Sequence, residues 1–246
     1  MKLLKKLFIF TVLLSTSAFV FAQNNTDTYA EEEEVSVESE YLNDMVADTI
    51  SALANADDLE SKYFALQYLR DAIASGNTSD SVIQSLDKLA GEGVTNQNRE
   101  NNRLTNNFPE IRREACLLMA QVPTEHTKNI LVSVAKEDLE PTVVAAAVYS
   151  LGKIAEEVGT VDEVITDIAF FIKRFSILNP TSSLAWEVLV AFENLADSAS
   201  PECTYPMIET VVSIANNYYY KTAVRDKAKI LLKKFSGSKK ESTSEK

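Results

Sequence analysis

Glycine and proline are scarce, six of each in 246 residues. A fold of short strands and tight turns uses more of both, so the shortage favours long helices joined by few connections. Histidine occurs once, at His126. Any Ser-His-Asp or Cys-His arrangement would have to use it, yet it sits beside Glu125 at the polar start of a helical stretch, the place of a surface side chain. HExxH, CxxC, GxSxG and a phosphate-cradling glycine loop are all missing, and adjacent acids such as Glu156-Glu157 read as solvated helix edges. The reading is therefore a non-enzymatic chain with no cofactor and no metal. Only Cys116 and Cys203 carry thiols. They fall in helical stretches far apart along the chain, whereas a disulfide needs α-carbons within about 7 Å. Both are expected to be free, with Cys116 buried.

Positive charge is also in short supply. Lys and Arg number 24 against 36 Asp and Glu, a net charge of −12. Such a balance repels nucleic acid and anionic lipid. Three of the lysines, Lys2, Lys5 and Lys6, precede a largely apolar run from Leu7 to Val20 that ends in Val20-Phe21-Ala22. That layout predicts a signal peptide over residues 1–22 cut after Ala22, with an uncleaved anchor as the competing reading. The mature chain is then expected to be periplasmic or secreted, with no membrane span. Loss of three lysines and no acid takes its net charge to −15. Residues 23–40 carry −7 and hardly any large apolar group, which predicts a disordered acidic spacer. The polar residues 236–246 predict a disordered tail.

What is present is helical periodicity from Tyr41 to Phe235. The central stretch is LEPTVVAAAVYSLGKIAEE, residues 139–157, with Val143, Val144, Ala147, Leu151 and Ile154 on one stripe and Pro141 in the first turn. Gly152 lies inside this period, where it costs stability unless a neighbouring backbone approaches closely. Before it stand a capping helix carrying Leu42, Met45, Val46, Ile50 and Leu53, a pair over 59–74 and 82–89, and FPEIRREACLLMAQV at 108–122. Thr124 is the expected N-cap of the helix that holds Ile130, Leu131 and Val134. After the central stretch, VDEVITDIAFFIKRF is apolar nearly all round and predicts a helix covered on both sides. Asn179 is the expected N-cap of the next helix, with Pro180 at its first position. KTAVRDKAKILLKKF closes the pattern.

Residues 91–107, GEGVTNQNRENNRLTNN, interrupt it with six asparagines and no apolar stripe. Structureless loops of that length are uncommon and tend to be functional or mobile. Residues 94–107 are therefore read as an Asn-rich loop, and its basic pair, Arg99 and Arg103, as candidate partner contacts. Tyr218, Tyr219 and Tyr220 are the second candidate set, because three consecutive tyrosines cannot all face a core and tyrosine suits interfaces.

Pro141-x-Val143-x-x-x-Ala147-x-x-x-Leu151-Gly152 resembles the first helix of a HEAT repeat, and Pro109 to Met119 and Thr222 to Leu232 resemble it too. Aligning Ala65, Ala115, Ala147, Trp186 and Ala228 gives spacings of 50, 32, 39 and 42 residues, near the length of a two-helix unit. The family arginine is matched by Arg112 and Arg225, with Lys62 at the equivalent place, while Val144 and Ser183 depart from it. The resemblance implies an all-α, right-handed α-solenoid of about five helical hairpins over residues 41–235. It further implies a scaffold that binds a protein partner in the cell envelope, as a monomer or weak oligomer. The alternative is a periplasmic small-ligand carrier or enzyme with a pocket between helices.

Overall fold

Residues 37–241 are described by a computed structural model of the chain. They form ten helices and one small hairpin. The chain divides into two compact units, Met1–Tyr41 and Leu42–Lys246. Of the first, only residues 37–41 are described, and they are the opening of a helix. The proposed leader, most of the acidic spacer and the last five residues lie outside the described part.

Helix α1 spans Val37–Asn55, α2 Leu59–Ala74 and α3 Asp80–Ala90. The hairpin follows, β1 at Arg99–Glu100 and β2 at Arg103–Leu104. Next come α4 Pro109–Met119, α5 Glu125–Glu137, α6 Pro141–Val158, α7 Val161–Leu178, α8 Ser182–Leu195, α9 Pro201–Asn216 and α10 Thr222–Glu241. Two boundaries differ from expectation. Helix α1 takes in the end of the acidic segment, from Val37, and α10 runs through 236–241, where a disordered tail was expected. Extending a helix already nucleated by packing costs far less than starting one, so polar Glu and Lys residues continue it.

Helix ends follow local chemistry. Asp58 caps α2 by accepting from Ser61 N at 2.8 Å, Thr124 caps α5 through Thr127 N at 3.1 Å, and Ser200 caps α9. Pro109, Pro141 and Pro201 occupy first turns. Asn179 does not cap α8; it ends α7, and α8 starts at Ser182 behind Thr181. Pro206 lies inside α9.

The helices pack in two rows. Helices α2, α4, α6, α8 and α10 neighbour one another in succession, as do α3, α5, α7 and α9, and each hairpin pair is in contact. One continuous core results, since no hairpin can bury its apolar face alone. Its centre is α6, with Val143, Val144, Ala147, Leu151 and Ile154 buried. A Cβ on Gly152 would come within 2.7 Å of the Ala191 Cβ and 2.9 Å of its Cα. The glycine is thus the contact point at which α6 and α8 meet backbone to backbone. Ser150, buried on α6, donates to the Cys116 carbonyl at 2.7 Å and ties α6 to α4.

Three packing expectations are corrected. On α8 the inward residue is Ala185, fully buried, and Trp186 is exposed beneath the Lys227 ammonium. Helix α7 has α5 and α9 on either side and touches α6 and α8, yet Phe170, Ile177 and Leu178 are exposed, so it is not apolar and covered all round. Helix α1 covers the array with Ile50 and Ala54, while Met45 and Val46 face solvent.

Candidate functional site

The asparagine-rich segment is ordered by hydrogen bonds rather than by apolar packing. The Gly91 carbonyl accepts from the backbone N–H of Val94, Thr95 and Asn96 at 3.0–3.1 Å. Gly93 takes φ +74°, and a Cβ there would meet the Asn106 carbonyl oxygen at 2.4 Å. Beyond this turn β1 and β2 pair antiparallel, Glu100 opposite Arg103 and Arg99 opposite Leu104. The two connecting residues, Asn101 and Asn102, have φ of 48° and 67°. Two positive-φ residues in a two-residue connection make the turn that matches strand twist, and asparagine tolerates it better than other residues with a side chain. The loop expected to be structureless is therefore a hairpin. An Asn-Asn pair between two dipeptides was the available signal, masked because neither strand alternates apolar and polar.

Beneath the hairpin lies a buried polar network. Asn106, buried, donates to Glu92 Oε1 and to the Asn96 carbonyl, each at 2.6 Å, and accepts from Asn98 N at 2.9 Å. Buried Glu92 pairs with Lys62 Nζ at 2.9 Å, and Lys62 also donates to the Ala54 carbonyl at 3.1 Å. Arg112 makes a bidentate pair with Asp138 at 2.6 and 3.3 Å. Its Nη1 donates to the Glu92 carbonyl and to Asn107 Oδ1, both at 3.0 Å. Arg174 on α7 donates to the Asp138 carbonyl at 2.8 Å. Lys62 on α2 and Arg112 on α4 each meet a buried carboxylate. Removing one member of such a pair leaves an uncompensated buried charge, at a cost of about 3–5 kcal/mol. Sequence reading saw both cations and missed both acids, because Glu92 and Asp138 sit in connections with nothing local to mark them.

Arg99 and Arg103 project from this base and are exposed. Arg99 is steered by Gln97 Oε1, at 3.0 and 3.3 Å. At the other end of the array Tyr218 and Tyr219 are 89% and 82% exposed, whereas Tyr220 is 3% exposed. Tyr220 is thereby withdrawn from the set of surface contacts; its burial raises its phenol pKa. The Arg225 guanidinium stacks over Tyr218, 5.4 Å from the ring centre.

Two hollows flank the rows. A half-open cleft of about 350 Å³ lies between α7 and α9, lined by Phe170, Lys173, Ser176, Pro206, Glu209 and Tyr220 among others. A shallower one of about 240 Å³ crosses α4, α6 and α8 and holds Arg113, Leu117, Ala145, Ala146, Tyr149 and Glu187. Partial burial raises the Glu187 carboxyl above its ordinary value. His126 is exposed. Cys116 and Cys203 are free thiols, and burial pushes Cys116 up to about 12, which removes its nucleophilicity near neutrality. Among the described residues no group of three or more His, Cys, Asp or Glu could hold a metal ion, and no helix is long and apolar enough to cross a membrane.

Comparison with family models, with characterised proteins and with solved structures finds no match to this chain.

Proposed function

We propose that the chain is an exported, non-enzymatic scaffold built as a right-handed HEAT-like α-solenoid of about five hairpins, and that it binds a protein partner in the cell envelope. The observation that carries this reading is the Asn-rich hairpin. A surface segment held by Asn106, Glu92 and Arg112 presents two exposed arginines in a set geometry. Binding through a preorganised element loses little ordering entropy, which is the physical use of such an anchor. Tyr218 and Tyr219, at the other end of the array, offer a second and separate contact through amphipathic rings.

The test is affinity capture from native envelope extract with the protein beginning at Gln23, alongside its Arg99→Glu/Arg103→Glu and Tyr218→Ser/Tyr219→Ser variants. One or two partners recovered in near-stoichiometric amount and lost with the arginine variant support the scaffold. Equal recovery by all three proteins refutes the assigned contacts. A second reading, a small-ligand carrier, draws on the α7–α9 cleft, whose volume falls in the range of ligand pockets. A thermal-shift screen in which one ligand's stabilisation vanishes with Phe170→Asp would favour it.

A further inference from the structure

We propose that the two ends of the helix array bind one another between copies, so that the protein associates head to tail. The charges are segregated along the chain. Between Asp44 and Ser61 the sequence holds five acidic residues and no basic one. Between Lys221 and Ser236 it holds six basic residues and one acid, Asp226.

Packing keeps these regions apart. Helix α1 meets the array next to α2, where Ala54 receives Lys62, and α10 packs on α8 and α9. Among the described residues no helix-to-helix contact joins α2 to α8, α9 or α10, so the rows run on without closing, and the faces at their two ends carry opposite charge.

Each terminal face also exposes an apolar side chain, and the two faces have the same spacing. On α1, Asp44, Met45 and Asp48 stand at i, i+1 and i+4, all exposed, with Met45 at 52%. On α10, Lys229, Ile230 and Lys233 stand at i, i+1 and i+4, all exposed, with Ile230 at 67%. One face thus shows a methionine beside two carboxylates a turn apart, and the other an isoleucine beside two ammonium groups a turn apart. Laid together antiparallel, the carboxylate pair meets the ammonium pair alongside an apolar contact. Lys229 already pairs with Asp226 at 3.1 Å, but both are well exposed, and such a pair exchanges at little cost. Because the two faces are different surfaces, the contact is heterologous and adds copies head to tail, in a row or a ring as its rotation dictates.

Light scattering coupled to chromatography, run on the purified protein over a concentration series at about 50 mM and about 500 mM salt, tests this directly. The mean mass should climb with concentration at low salt and return to that of the monomer at high salt. Reversing one end, Asp44→Lys/Asp48→Lys or Lys229→Glu/Lys233→Glu, should weaken association about tenfold. Mixing the two reversed proteins should restore it, since each then offers the complement of the other. A monomer at every concentration and salt overturns the proposal without recourse to any variant. So does association that neither salt nor reversal alters, or a mixture that fails to recover while both variants retain wild-type circular dichroism.

Discussion

At residue scale Gly152 is an exacting position. Its lack of a side chain lets α6 and α8 approach until a Cβ would overlap Ala191. Alanine is the better helix former by about 1 kcal/mol, yet the overlap involves backbone that cannot swing aside. Gly152→Ala should therefore destabilise the protein by about 1–3 kcal/mol, read as a lower denaturation midpoint in urea. An unchanged midpoint would mean that the rows can spread freely. Glu187 tests the opposite case, a half-buried carboxyl with no ion-pair partner among the described residues, raised from its ordinary value near 4.5 by burial alone. A folded-state pKa above the unfolded one means that the ionised group opposes folding above the raised value. The penalty fades as pH falls through the window between the two. Glu187→Gln should raise the melting temperature at pH 7 and lose that advantage near pH 4. An advantage that persists at pH 4 would assign the effect to packing instead.

At the scale of elements the hairpin shows how a polar segment acquires order. Its three anchoring bonds converge on one side chain, that of Asn106. Asn106→Ala would leave the buried Glu92 carboxylate and the Asn96 carbonyl short of donors, at about 1–3 kcal/mol for each unsatisfied group. Amide exchange of residues 96–105 should accelerate well beyond that of α6, and capture of any partner held through Arg99 and Arg103 should weaken with it. Protection equal to wild type in that stretch would show that backbone pairing alone holds the hairpin. The α7–α9 cleft has a similar local origin. Phe170 sits on the face of α7 that no other helix covers, and Pro206 on the opposite wall lacks a backbone N–H, so the helical bond to the Glu202 carbonyl is not made there.

At the scale of the molecule, the two-row arrangement makes each hairpin depend on its neighbours. Helix α6 touches α4, α5, α7 and α8, and twelve of its 18 residues are buried. Native-state hydrogen exchange should show the highest protection there, falling towards α1 and α10. Uniform protection from end to end would mean a single cooperative unit in place of a graded array. The same linearity keeps acidic and basic ends apart, which a closed bundle would not do.

Much of this architecture was written in the residues. Apolar period, scarce glycine and proline, and first-turn prolines determined helices in nearly their observed places, because each signal acts within one or two turns of its own position. Gly152 was legible as a close contact for the same reason, although its partner Ala191 was not. Tertiary structure alone decided which of two adjacent residues faced inward at Ala185 and Trp186, since a one-position shift hardly alters helical periodicity. It also decided the mates of Lys62 and Arg112. Glu92 and Asp138 lie 30 and 26 residues away in sequence, and a buried charge finds its partner through the packing of whole helices. The order of the Asn-rich segment and the burial of Tyr220 beside two exposed tyrosines belong to the same class. Each depends on what a neighbouring helix or connection brings close, which no local pattern contains.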